Sequence, residues 1–179
     1  MNMIDMKLYI TLPSDNIDFR CIEKVLIPIQ NKTEIQGAID PSDSNFMEAL
    51  VITSQGKQVS DFRFCEARLL TQLIALVEDY YLSAEKAISD NVYGLSVITI
   101  GLRKTGENKL LLTATRDGNR IVQVELPEKE LIDNLFSLAK EYFSYLIEYG
   151  ISTSFHAKEL SIVCEYETRY KDIYRKSLD

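Results

Sequence analysis

His156 is the only histidine of the chain, and it limits the chemistry that histidine could perform here. A metal site with two histidines cannot form within one chain, and a catalytic dyad or triad would have to use this one residue. Cys164 follows eight positions later. On a helix the two side chains would lie about 12 Å apart along the axis, too far for a hydrogen bond between a nucleophile and its base. The sequence therefore predicts no catalytic histidine.

Two short segments begin like ligand-binding motifs but lack the residues that would bind the ligand. The segment 101–108 starts as G-x-x-x-x-G, but Glu107 and Asn108 stand where a phosphate loop needs lysine and serine or threonine. The segment 40–45 gathers oxygen ligands, yet it lacks the spacing and the closing glutamate of a calcium loop. No glycine pair has the dinucleotide-binding spacing. We therefore predict no metal site and no cofactor.

Tyrosines are concentrated near the C-terminus, at helical spacing. Six of the ten are Tyr142, Tyr145, Tyr149, Tyr166, Tyr170 and Tyr174. Two packed helices that bury the rings would explain this pattern. A partner-binding surface is the alternative, because tyrosine is enriched at binding hot spots and nearby acids could steer a basic partner. The candidate partner-binding residues are Glu128, Glu130, Asp133, Glu141, Glu148, Tyr166, Tyr170 and Tyr174.

The hydrophobic pattern predicts the elements that would position these residues. Amphipathic helices are expected over 64–82 (with an irregular tail at 83–88), 128–149 and 155–176, the last also having some strand-like alternation. Pro127 and Gly150 suit the two ends of the second helix. Strands are expected over 6–12, 21–29, 46–53, 95–102, 109–115 and 120–126, and 30–44 reads as a loop.

Asp117-Gly118 is a strong signal for a two-residue hairpin turn. Such a turn would pair Thr113 with Val122 and would leave both faces of the hairpin partly apolar. A helix or a second subunit would then have to cover the second face.

Composition bounds the class of protein. The chain has 179 residues, a net charge of −7 and 46% hydrophobic residues, which fits a single domain over 1–179. The predicted helices and strands make this an α+β domain with a mainly antiparallel sheet, which includes the meander 95–126. An acidic chain without a basic block disfavours nucleic-acid binding, and no window reaches the ~18 apolar residues of a membrane span. Three widely spaced cysteines are expected to be reduced and mostly buried in a cytoplasmic protein.

These exclusions favour a small acidic, non-catalytic protein that binds another protein, as an inhibitor, a chaperone or an immunity-type antagonist of a basic partner. Two alternatives stay open. One is an enzyme or small-ligand-binding protein whose site is assembled from scattered Asp, Glu, Arg and Tyr side chains; a pocket with converging polar groups and a carboxylate of perturbed pKa would favour it. The other is a homo-oligomeric structural subunit, of which a homodimer is the simplest form.

Overall fold

The first described element is a strand along which buried and more exposed side chains alternate. The computed structural model describes residues 3–11, 26–44, 46–83, 86–88 and 98–176, and its first strand buries Ile4, Leu8 and Ile10. The elements are β1 (Ile4–Thr11), β2 (Leu26–Pro28), α1 (Lys32–Ala38), β3 (Met47–Ser54), β4 (Lys57–Gln58), β5 (Cys65–Ala67), α2 (Leu69–Leu82), β6 (Lys86–Ile88), β7 (Ile98–Gly106), β8 (Lys109–Arg116), β9 (Asn119–Pro127), α3 (Glu128–Glu148) and α4 (Thr153–Lys176).

The strands form two antiparallel sheets. The first has the order β2-β1-β3-β4 with β5 also paired to β3, and the second is the meander β6-β7-β8-β9. Helix α2 packs on β3 of the first sheet and on β6 and β7 of the second, while α3 packs on β1 and β9. Buried side chains of both sheets and of α2 and α3 belong to one continuous apolar core. The predicted α+β class with antiparallel strands against helices is confirmed, with four described helices instead of about three.

Helix α3 has the ends that its sequence predicts. It starts directly after Pro127, and Gly150 follows it with φ +78°, a left-handed conformation that favours glycine. The Ile151 N–H donates to the Leu146 carbonyl at 3.0 Å, which closes the last turn in the manner of a Schellman motif. The final segment is a helix, as its length favoured, and α4 packs along α3.

The hairpin of β8 and β9 has the predicted turn but a different register beyond it. Asp117 and Gly118 both have positive φ, and Arg116 pairs with Asn119 as expected.

A bulge in β9 then shifts the pairing of the two strands, so that Ala114 lies opposite Val122. The predicted pairing of Thr113 with Val122 is therefore wrong, and the second face is less apolar than expected, although Leu111 remains on it opposite Glu125. One extra residue returns the valines to the buried face, because strand side chains alternate between faces.

Three local predictions in the first half are also corrected. The segment predicted as a loop contains α1, whose N-cap Asn31 accepts a hydrogen bond from the Glu34 N–H at 3.4 Å. The predicted helix 64–82 begins only at Leu69, because Cys65–Ala67 pairs with β3. The predicted helical tail at 83–88 instead contains strand β6, which pairs with β7. The predicted strand starts at 21–25 and 95–97 lie outside the described residues.

The cysteines are only partly as expected. Cys65 is buried, and burial raises the pKa of its thiol to about 12, so it stays protonated at neutral pH. Cys164 is exposed on α4, which contradicts its predicted burial. Cys21 lies outside the described residues.

Candidate functional site

The solvent side of α3 carries a row of carboxylates, which we call the acidic stripe. Its members are Glu130, Asp133, Glu141 and Glu148. At 100° per residue they fall within an arc of about 80°, and they extend along about 27 Å of helix. All four were predicted as partner-binding residues, and the periodicity that predicts the helix also predicts that they share its polar face.

The members of the acidic stripe differ in what they contact. Glu130 accepts a hydrogen bond from the Ile4 N–H at 2.9 Å and thereby ties α3 to β1. Asp133 pairs with Lys129, one turn earlier, and Glu148 pairs with Lys32 of α1 at 3.0 Å. Surface ion pairs of this kind contribute at most about 1 kcal/mol each, so they leave the carboxylates available for other partners.

Glu141 is the most available carboxylate of the stripe. It is exposed, and it makes no ion pair with any lysine or arginine that the structure describes. It hydrogen-bonds to the Tyr145 hydroxyl and thereby raises the pKa of that group. A groove of about 160 Å³ between β1 and α3 brings Glu141 together with Asp5. Two carboxylates therefore border one concave surface.

The other four predicted partner-binding residues do not extend this surface. Glu128 is only 9% exposed, and it accepts hydrogen bonds from the Tyr80 and Tyr81 hydroxyls at 3.2 Å each. Tyr170 is 3% exposed and stacks on Phe136. Both residues belong to the interior because they join α3 to neighbouring helices, and they cannot contact a partner directly.

Tyr166 and Tyr174 lie on α4, where both rings are half-buried beneath basic groups. The Arg169 guanidinium lies 5.1 Å from the centre of the Tyr166 ring, and the Lys129 ammonium lies 5.6 Å from that of Tyr174. These rings are therefore partly covered by cations. Of the six tyrosines in the two predicted rows, Tyr142 and Tyr149 are buried like Tyr170. Packing between helices thus accounts for much of the tyrosine pattern.

A second group of polar residues lies inside the protein, where β3, α2, α3 and α4 meet. We call it the polar junction, and it comprises Glu48, Arg68, Tyr142, His156 and Glu159. None of them was predicted as a site residue by the sequence pattern.

Glu48 is the most deeply buried carboxylate of the junction. It is 3% exposed and accepts hydrogen bonds from the Leu70 N–H at 2.7 Å and the Tyr142 hydroxyl at 2.8 Å. Burial raises its pKa to about 7, although both hydrogen bonds and the charge of Arg68 oppose that shift. The Leu70 N–H is one of the first donors of α2, so Glu48 acts as a helix cap supplied by a neighbouring strand.

Arg68 precedes α2 in a left-handed conformation, with φ +55°, which is uncommon for a residue other than glycine. Its Nη2 lies 3.3 Å from Glu159 Oε1, and the Thr71 hydroxyl donates to Glu159 Oε2 at 3.1 Å. The guanidinium also lies 4.9 Å from the centre of the Phe155 ring. These contacts hold together the starts of α2 and α4.

His156 is 2% exposed among Phe46, Phe143 and Phe155. Neither imidazole nitrogen has a hydrogen-bond partner among the described residues. Burial, assisted by the charge of Arg68, lowers its pKa to about 4. The imidazole is therefore neutral at pH 7, and it lies against three aromatic rings in the interior.

The Arg68–Glu159 pair closes one end of a cleft between α2 and α4, which we call the α2–α4 cleft. Its volume is about 190 Å³, and its lining comprises Arg68, Thr71, Ile74, Ala75, Glu159, Ile162, Val163 and Tyr166. This volume is below the ~300 Å³ that is usual for larger ligands. Glu48 does not line the cleft.

The chain gives few signals that would have identified the polar junction. Glu48 and Glu66 both interrupt apolar strands, which is a sign of a buried carboxylate, but their partners come from distant segments. Within the described ranges no cluster of three or more His, Cys, Asp or Glu side chains could hold a metal ion. Likewise, none of the helices in those ranges has the length and apolarity of a membrane span.

Comparisons with models of protein families, with curated proteins and with solved structures find no match to this chain.

Proposed function

We propose that this protein acts by binding a basic protein partner through the acidic stripe of α3 and the groove beside it. The observation that carries the proposal is Glu141: an exposed carboxylate in the middle of the stripe, without an ion pair in the described part of the chain, facing Asp5 across a groove. An inhibitor, a chaperone or an immunity-type antagonist that acts in the cytoplasm would use such a surface.

Electrostatics gives this surface a defined physical role. Carboxylates aligned along a helix produce a local negative potential that attracts a basic partner and speeds the encounter, chiefly at low salt. The effect extends over about 10 Å at 0.1 M salt, so neighbouring members of the stripe act together. The groove between β1 and α3 then offers a concave part of this face that two carboxylates line without a lysine.

The homo-oligomer alternative has less support than the sequence suggested. One motive was a partly apolar second face of the β8–β9 hairpin, whereas Val122 and Leu126 share the buried face. The other was the wide apolar arc over 131–149, and the buried side chains of that arc belong to the core of the same chain. The exposed positions Gln123 and Glu125 on the edge strand β9 are polar, and polar or charged residues oppose pairing between sheet edges.

The test uses two variants of equal net charge. The first, Glu141→Lys with Glu148→Lys, reverses two members of the acidic stripe. The matched control, Glu107→Lys with Glu125→Lys, reverses two exposed carboxylates of the second sheet. The wild type and both variants are immobilised and exposed to a lysate of the source cells at low salt, and retained proteins are identified by mass spectrometry.

We expect the wild type and the control to retain the same basic protein, and the stripe variant to lose it. With that partner purified, the association rate constant should fall about tenfold for the stripe variant at low salt, with a smaller difference at high salt. Equal behaviour of the two variants would mean that only net charge matters, and it would overturn the proposed surface.

A further inference from the structure

We propose that the α2–α4 cleft binds a small aliphatic α-amino acid in its zwitterionic form. The proposal does not depend on the acidic stripe, which lies on another helix. It rests on the arrangement of one cleft: a guanidinium and a carboxylate side by side at one end, and aliphatic walls along the remainder.

The polar end offers both charges that an α-amino acid requires. Arg68 and Glu159 form a pair at 3.3 Å, and their side chains are 18% and 11% exposed, so both can be reached from the cleft. The ligand carboxylate would bind the Arg68 guanidinium, which has a planar array of donors. The ligand ammonium would bind Glu159. A carboxylate has about four acceptor positions, and the contacts of Glu159 with Arg68 and Thr71 use two.

The walls of the cleft suit an aliphatic side chain. Ile74 and Val163 are buried, Ile162 and Ala75 are more exposed, and all four line the cleft together with Tyr166. The volume of about 190 Å³ corresponds to roughly six water molecules at ~30 Å³ each. This is the size of a small amino acid such as valine or leucine. Burial of that side chain would supply about 25 cal/mol for each Å² of apolar surface removed from water.

Charge complementarity excludes the simpler ligands. A carboxylic acid without an amine would bring its charge close to Glu159, and an amine without a carboxylate would bring its charge close to Arg68. In each case one member of the ion pair would face a like charge, or would lose water without gaining a partner. Either change costs binding free energy at a partly buried site. Only a ligand that carries an ammonium and a carboxylate on the same carbon matches the pair without separating it.

The first test compares ligands on the wild-type protein, so it does not depend on a variant that folds. Backbone amide shifts of Thr71, Ala75, Glu159 and Val163 are followed by NMR during titration with L-leucine and L-valine. The matched ligands are N-acetyl-leucine without the ammonium, leucine methyl ester without the carboxylate, and glycine without the side chain. We expect saturable shifts with leucine and valine, and at least tenfold weaker binding of the other three.

The second test fills the cleft without touching its ion pair. Ala75→Leu puts a larger side chain into the cleft from an exposed helix position, and Ala157→Leu makes the same change at an exposed position of α4 that does not line it. We expect the affinity for leucine to fall at least tenfold in Ala75→Leu and to stay unchanged in Ala157→Leu.

Three results would each overturn the proposal. The first is the absence of saturable shifts at about 10 mM leucine, ten times a millimolar Kd. The second is equal binding of leucine and its two singly charged analogues, and the third is equal binding to the two alanine variants. None of these results bears on the acidic stripe, so the two proposals can fail separately.

Discussion

Glu48 and Glu141 are the same amino acid in two contrasting regions of one protein. Glu48 lies in the polar junction, where burial raises its pKa to about 7 and each carboxylate oxygen has a donor. Glu141 lies on the acidic stripe, exposed to water and beside a groove. The first carboxylate organises the interior, and the second leaves a charge on the surface. The comparison shows that the surroundings of an acidic residue, more than its identity, decide whether its side chain is used inside the fold or remains as a charge on the surface.

The largest expected effect follows from removing the buried carboxylate. Glu48→Ala leaves the Leu70 N–H and the Tyr142 hydroxyl unpaired in the interior, where each lost partner costs about 1–3 kcal/mol. We expect the free energy of unfolding to fall by about 3 kcal/mol, measured by urea denaturation at pH 5, where the Glu48 side chain of the folded protein is still protonated. The matched variant Glu141→Ala should change it by less than about 0.5 kcal/mol. Equal effects of the two substitutions would contradict the contrast between the regions.

A somewhat smaller effect should appear as a dependence of stability on pH. Burial raises the pKa of Glu48 in the folded state to about 7, above its ordinary value of 4.5, so the folded state retains the proton more strongly. The stabilisation that Glu48 provides is fully present below pH 4.5 and is lost as the pH rises toward 7. The free energy of unfolding should fall by at most about 3 kcal/mol over this range.

His156 acts in the opposite direction, because its pKa is lowered from 6.5 to about 4 and stability is lost as the pH falls through that window. The two effects overlap, so the measurement compares wild type with Glu48→Gln. The difference in unfolding free energy between them should decline from pH 4.5 to 7 and level off above. A difference that does not vary with pH would show that Glu48 titrates normally.

The smallest effect concerns the imidazole of the junction. His156→Phe replaces a buried ring whose nitrogens have no described partner with one that needs none. We expect the free energy of unfolding at pH 7 to rise by about 1 kcal/mol, and the loss of stability between pH 6.5 and 4 to diminish. His156→Asn, which keeps a polar group there, should give no gain. A loss of stability in His156→Phe would indicate that the imidazole has a partner.

The acidic stripe was predictable because it depends on one helix alone. The period of the apolar residues in α3, with Pro127 before it and Gly150 after it, places Glu130, Asp133, Glu141 and Glu148 on the polar face. Glu128 was misjudged from the same pattern because its burial depends on Tyr80 and Tyr81 of another helix. A helical period reports which side of a helix is polar, but it does not report what packs against the end of that helix.

The start of α2 shows a different limit. Arg68 is not a preferred N-cap and its side chain does not cap the helix, so no local signal separates the strand Cys65–Ala67 from the helix that follows. The Leu70 N–H at the start of the helix is capped instead by Glu48 on β3, twenty-two positions before Leu70. The bulge in β9 is similar, since burial of Val122 and Leu126 against the core decides the register that the turn alone would set otherwise.

The amino-acid order by itself determined the elements whose signals are local: the long helices, the hairpin turn at Asp117-Gly118 and the polar face of α3. Only the tertiary structure decided which carboxylates lose their water, because desolvation depends on every neighbour in three dimensions. The nearest partners of Glu48 come from α2 and α3, and those of Glu159 from the start of α2. The period of the apolar residues along the chain carries no information about which distant segments come into contact. The polar junction and the α2–α4 cleft therefore depend on how the helices pack in the folded protein.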